Sequence, residues 1–206
     1  MLTLYYAPQS RATRAIALLK ELDAIDAVRI ETVSIARQDG SGSADPRNPH
    51  PEGKVPFLLH DGAEVRESAA IFLHLADLFP QARMNIPVGH ALRGPYLGWF
   101  AWYAGVLEPV MVLEMAGLKH PVLDATFRGR AEMLARLDAT LSRQPYLMGE
   151  DFTAADQLLH SPFAWLGKPG VPAIDAWVDR CTARPAAAFA REFDLRQLQP
   201  QADAPR

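Results

Sequence analysis

Gly53-Lys54-Val55-Pro56-Phe57-Leu58-Leu59-His60-Asp61-Gly62-Ala63-Glu64-Val65-Arg66-Glu67-Ser68 is the stretch that decides the fold. Pro56 to His60 is apolar and strand-like. Asp61-Gly62 is a type I′ hairpin signal, because both central residues of that turn need positive φ. Ala63 to Arg66 returns as a second strand. Ile71, Leu75, Leu78 and Phe79 then mark a helix that Pro80 ends. The hairpin therefore carries Val55-Pro56 at one end and Glu67-Ser68 at the other. The first pair offers backbone hydrogen-bonding groups at a rigid turn. The second offers a carboxylate, a hydroxyl and the free N–H groups of a helix start. A small zwitterionic peptide matches that set of groups.

Upstream, Leu2 to Tyr6 is a short apolar, aromatic run of strand character, broken by Ala7-Pro8-Gln9. Ala12, Ala15, Ile16, Leu19 and Leu22 follow at helical spacing, with Ser10 where an N-cap belongs and Arg11, Arg14 and Lys20 off the stripe. Val28 to Ser34 alternates like a strand. A helical connection favours parallel pairing of these two strands. The polar segment from 36 to 53 reads as a loop with room for a short helix. The expected order over the first eighty residues is β-α-β-loop-β-β-α.

Downstream, 80 to 94 reads as a linker running into a helix, and from there only helical patterns occur. Tyr96 to Met115 is apolar on most faces, a central buried helix bent at Pro109. Arg128 to Ser142 is amphipathic, Ala155 to Leu166 gives another stripe, and 172 to 192 holds two short helices. Gln197 to Arg206 is polar and expected to fray. The expected division is a first domain over 1–80, a linker over 81–88 and an all-helical domain over 89–206.

Composition narrows the function classes. Nearly half of the 206 residues are hydrophobic, which supports a sizeable core. The net charge of −3 gives no electrostatic case for nucleic acid. One cysteine, Cys181, cannot form an internal disulfide or a CxxC pair, which fits a reducing compartment. Met1 leads directly into the first strand without a basic leader, and Pro95 to Leu107 is too short to span a membrane. A cytoplasmic protein is the expectation. The six histidines show no metal-ligand spacing, so no metal is expected.

Three features together carry a family resemblance: Val55-Pro56 with Glu67-Ser68 eleven residues on; Gly149-Glu150-Asp151-Phe152-Thr153-Ala154-Ala155-Asp156; and the opening Leu4-Tyr5-Tyr6-Ala7-Pro8. In this order they resemble the cytosolic glutathione S-transferase superfamily, its bacterial members most. The resemblance implies an N-terminal thioredoxin-like α/β domain and an all-α C-terminal domain. It also implies a cis bond before Pro56, pairing of the Val55 backbone with the cysteinyl part of glutathione, and a γ-glutamyl group held by Glu67 and Ser68. Lys54 or His50 would meet the glycine carboxylate. Thr153 and Asp156 read as a structural capping box.

Glutathione reacts as its thiolate. A hydroxyl donor at the end of the first strand or the start of the first helix would stabilise that anion, and Tyr6 and Ser10 are the candidates. Bacterial members of the beta class use a cysteine where this chain has Arg11. The electrophile would meet Trp99, Trp102, Tyr103 and Met111, at the start of the helical domain. The resemblance implies a glutathione transferase acting on hydrophobic electrophiles, with peroxide reduction as a side activity. Glutathione is then a co-substrate, and no prosthetic group is required. The alternative is a non-catalytic ligand-binding or stress-regulatory protein of the same fold. A homodimer is also implied, with Phe57 and the face of the Ile71 helix as contact points.

Overall fold

The computed structural model describes residues 1–198; the tail from 199 to 206, most of the segment expected to fray, lies outside the described residues. Two units are present. One comprises Met1–Ala82 together with the segment that begins at Arg184, and the other is Arg83–Ala183.

The first unit is built on β1 (Leu2–Tyr6), α1 (Thr13–Glu21), β2 (Val28–Thr32), β3 (Phe57–His60), β4 (Ala63–Val65) and α2 (Ser68–Leu78). The sheet order is β2-β1-β3-β4. β1 runs parallel to β2 and antiparallel to β3, and β3 pairs antiparallel with β4. The α1 crossover explains the parallel pair. Asp61 at φ 49° and Gly62 at φ 85° make the two-residue hairpin turn that the Asp-Gly pair predicts. The residues from 34 to 56 hold turns and no helix.

α1 is buried on nearly every side: Arg14, Ala15, Ile16, Ala17, Leu18 and Leu19 are all inaccessible or nearly so. One side of its cover is the last helix, α10 (Pro185–Leu198). Arg184, just before α10, makes a two-pronged ion pair with Glu21 of α1, 2.7 Å on both arms. Phe193 meets the Tyr6 ring edge-on at 5.4 Å. The first segment of this unit ends at Ala82. The assignment of every residue after 89 to the helical domain needs correction, because α10 packs with the sheet unit. Phe57 and Ile71 are fully buried inside this same unit. Both side chains serve its core.

The second unit contains α3 (Arg93–Trp102), a π-helical turn (Tyr103–Leu107), α4 (Glu108–Met115), α5 (Pro121–Phe127), α6 (Gly129–Leu141), α7 (Ala154–Leu159), α8 (Ser161–Leu166) and α9 (Pro172–Thr182). α3, the π turn and α4 form one run, Arg93–Met115, of 23 residues. Pro109 has no N–H to give, and the wider turn directly before it takes up the mismatch. This run is long and apolar enough to cross a membrane by length and composition. The expected limit of Pro95 to Leu107 is too narrow. Within the unit Tyr96, Phe100, Tyr103, Leu107 and Val110 are buried, as in a core helix.

Asp156 is the polar centre of this unit. It is fully buried and accepts from the Leu147 amide at 2.8 Å, the Thr153 amide at 3.0 Å, the Thr153 hydroxyl at 2.9 Å and Trp177 Nε1 at 3.0 Å. Thr153 and Asp156 form the expected capping box at the start of α7. Burial pushes the Asp156 carboxyl up, and its four donors oppose that shift.

Candidate functional site

The site residues expected from the hairpin lie in the first unit. The Val55–Pro56 bond is cis. Glu67 is the N-cap residue of α2, exposed, with φ 67° and ψ 127°. A non-glycine residue held at positive φ is costly, on the order of 1–3 kcal/mol, and such positions concentrate at ligand clamps. Ser68 is the first residue of α2. Its hydroxyl accepts from Arg14 Nη2 at 3.0 Å. Arg14 is 8% exposed. A guanidinium, a hydroxyl and the first amides of a helix thus meet at one point, which is the donor set a carboxylate needs. The helical stripe places Arg14 on the polar side of its helix, and sequence reasoning misses it as a site residue. The unbroken run Ala15 to Leu19 is the available signal, since a helix apolar all round is buried all round.

His50 and Lys54 differ from each other. His50 is buried, with Nδ1 accepting from the Glu52 amide at 3.0 Å and its ring edge-on to Phe57. That bond places the proton of the neutral ring on Nε2. Lys54 is exposed and ion-paired with Glu52. The Lys54 carbonyl accepts from Asn48 Nδ2 at 3.1 Å, which ties down the chain just before Val55.

The two hydroxyl candidates also differ. Tyr6 is fully buried, and its hydroxyl donates to Asp194 Oδ1 of α10. Burial, and then the adjacent Asp194 carboxylate, drive the phenol far above its ordinary value. The Tyr6 proton is therefore committed to the interior of the unit, contrary to the expectation of a free donor. Ser10 precedes the helix by more than an N-cap position: α1 begins at Thr13 with Ala12 as its N-cap. Its Oγ donates to the Ala7 carbonyl at 2.6 Å and accepts from the Ala12 amide at 3.0 Å. It closes a tight turn between β1 and α1. Gln9, just before it, has φ 52°.

A polar cleft of about 300 Å³ borders this turn, lined by Pro8, Thr32, Ser34, Arg37 and Arg47 among others. Arg37 reaches back to the carbonyls of Pro8 and Gln9, at 2.7 and 3.0 Å. None of the expected site residues lines the cleft.

In the second unit Trp99, Trp102, Tyr103 and Met111 are all buried, at 8% exposure or less. Trp99 and Trp102 meet edge-on at 5.5 Å, and the Arg136 guanidinium lies 4.9 and 4.7 Å from their ring centres. These rings serve the packing of their own unit. Among the described residues no cluster of three or more His, Cys, Asp or Glu could hold a metal ion.

Two family models match the chain: the glutathione S-transferase N-terminal domain over residues 4–83 and the C-terminal domain over 109–185. The chain belongs to the glutathione S-transferase superfamily. Among its glutathione S-transferase relatives is glutathione S-transferase 3 of Schizosaccharomyces pombe, 26% identical over 215 residues, covering 93% of this chain and 87% of that one. The protein LigF of Sphingobium sp. is 27% identical over 66% of this chain and 73% of its own length. The glutathione transferase of Methylococcus capsulatus superposes with a TM-score of 0.78 at 26% identity, covering 94% of this chain and 98% of that one. The theta-class glutathione S-transferase of Xanthomonas axonopodis pv. citri, solved with glutathione bound, gives 0.68 at 26% identity over 92% and 96%.

Proposed function

We propose that this chain is a glutathione transferase that holds glutathione on the first unit and activates its thiol with Ser10. The observation that carries the reading is the Arg14–Ser68 contact at the start of α2, beside Glu67 at positive φ. The γ-glutamyl carboxylate binds Ser68 and the first α2 amides, and Glu67 meets the ammonium. The Val55 backbone pairs with the cysteinyl part. His50 Nε2 or Lys54 takes the glycine carboxylate.

An ordinary thiol titrates near 8.5, and lowering that by roughly two units requires about 2.7 kcal/mol of preference for the anion. A hydrogen bond to a charged group supplies about 1.5–3 kcal/mol, and a helix N-terminus adds about 0.3–1 kcal/mol. Ser10 is suited to the task. Rotation about its Cβ–Oγ bond moves the proton from the Ala7 carbonyl to the sulfur, while Oγ keeps accepting from the Ala12 amide. A charged acceptor competes well against a neutral carbonyl. The thiolate then attacks an electrophilic carbon and displaces its leaving group. The electrophile is hydrophobic, organic peroxides are a second substrate class, and the working form is a homodimer in a reducing compartment.

The test is conjugation of a chloronitroarene, with pH dependence, by wild type, Ser10→Ala and Tyr6→Phe. Ser10→Ala should lose most of the turnover and raise the apparent thiol pKa. Full activity with an unchanged pH profile in Ser10→Ala overturns the assignment of Ser10. Retention on a glutathione column without any turnover by the wild type would instead make the chain a carrier.

A further inference from the structure

The Asp194 carboxylate is aimed into the turn that carries Ser10. Asp194 belongs to α10 and is 7% exposed. Its Oδ1 accepts from the Tyr6 hydroxyl and its Oδ2 from the Gln9 amide at 2.8 Å. The Thr13 hydroxyl lies 3.1 Å from Oδ1 and 2.8 Å from Oδ2 and shares its single proton between them. These three donors bracket Ser10: the last residue of β1, the residue just before Ser10, and the first residue of α1. The Ser10 amide in turn lies 3.4 Å from the Thr13 hydroxyl oxygen.

We infer that Asp194 is the positioning residue of the thiol-activating turn, acting through Gln9 and Thr13 to hold Ser10 in register with the sulfur. This rests on the assignment of Ser10 above. The physical case is the cost of the turn without it. Gln9 sits in the left-handed region, which side-chain-bearing residues adopt with strain. A charge-assisted bond from its amide offsets that strain. Tyr6, withdrawn from the ligand, then has a task of its own. It supplies one of the donors that let a carboxylate stay buried there.

The experiment uses the full chain with the nearly isosteric Asp194→Asn, together with Asp194→Glu and a control, Arg184→Ala. The control breaks the neighbouring α10–α1 ion pair without touching the turn. Titration of bound glutathione by thiolate absorbance is the first readout. Asp194→Asn should raise the apparent thiol pKa by about one unit and lower kcat about tenfold, with the KM for glutathione within about twofold. Arg184→Ala should lower Tm and leave the thiol pKa in place. Asp194→Glu should recover part of the lost kcat. Amide hydrogen exchange of Gln9 and Ser10 is the second readout and needs no glutathione. It should accelerate at least tenfold in Asp194→Asn and stay unchanged in Arg184→Ala. Unchanged exchange at Gln9 and Ser10 in Asp194→Asn overturns the inference. So does a thiol pKa that moves equally in the control. A wild type that binds no glutathione, with exchange accelerated as described, sinks the functional reading and leaves the Asp194 restraint supported.

Discussion

Arg14 Nη2 donates to Ser68 Oγ at 3.0 Å, so one buried helix touches the first residue of another. The contact puts a positive charge where a bound carboxylate would sit. It also makes Ser68 dependent on a residue 54 positions earlier.

Ser68→Ala should therefore weaken glutathione binding roughly ten- to hundredfold, the equivalent of one hydrogen bond to a charged group. Its thermal midpoint should move by only about 2–4 °C. Arg14→Ala should lose both affinity and stability, because its charge and its packing leave together. Calorimetric titration with glutathione beside a melting curve separates the two effects. Unchanged affinity in Ser68→Ala would remove α2 from the binding site.

Tyr6 should leave a signature in alkali. Its folded phenol titrates far above an unfolded one, which loses its proton near 10. Its contribution to stability is complete below pH 10. It is lost as pH rises above that value, because only the unfolded state gives up the proton, at about 1.4 kcal/mol per pH unit. Tyr6→Phe should be less stable at neutral pH by about 1–3 kcal/mol, since Asp194 loses a donor. It should also show a shallower decline above pH 10. Urea denaturation at pH 8 to 11 for both proteins measures this, and parallel declines would contradict it.

The helical unit should depend on Asp156 more than on any single apolar residue. Asp156→Ala strands four donors, one of them Trp177 Nε1, and should cost about 3 kcal/mol or more. Thr153→Ala removes one cap bond and should cost about 1–2 kcal/mol. The double variant should cost less than the sum, because both residues serve the same box. Additive losses in denaturation midpoints would show that the two act separately.

A pair of histidines should shape the acid limb. His60 Nδ1 and His74 Nε2 are 2.9 Å apart. Burial, and then the neighbouring His60, hold His74 below its ordinary value, while Asp77 opposes them. The folded state thus resists taking the proton that the unfolded state accepts near 6.5. Stability from this source is present above pH 6.5 and lost as pH falls through the lower folded value. His74→Gln should flatten the loss of Tm between pH 7 and 5. An identical acid limb in wild type and variant would show that the pair does not titrate with folding.

The hairpin is legible in the sequence because its information is local. Asp61-Gly62 names its own turn, and the Val55-Pro56 and Glu67-Ser68 pairs sit at the ends of short elements. The Thr153–Asp156 box is local for the same reason. Arg14 escapes because a helix stripe records one buried face, and α1 has two. Asp194 escapes because nothing near Tyr6 announces a partner 188 residues away. One trace of it exists: Ala186, Ala190 and Asp194 recur every four residues along one face of α10, and all three are buried. An acid in an apolar register asks for donors. The short α5 falls outside the pattern because its seven residues are too few to show a helical period, and none of them is buried.

The return of α10 to the sheet unit bears on how the chain is made. Residues 1–82 are translated before α10, and their sheet can pair early. The turn around Gln9 and Ser10 gains its carboxylate only once Asp194, 185 residues beyond Gln9, has been made. The turn is thus completed long after its own residues are translated. A chain cut at Ala82 would keep the whole sheet yet leave Tyr6 and Gln9 without their acceptor.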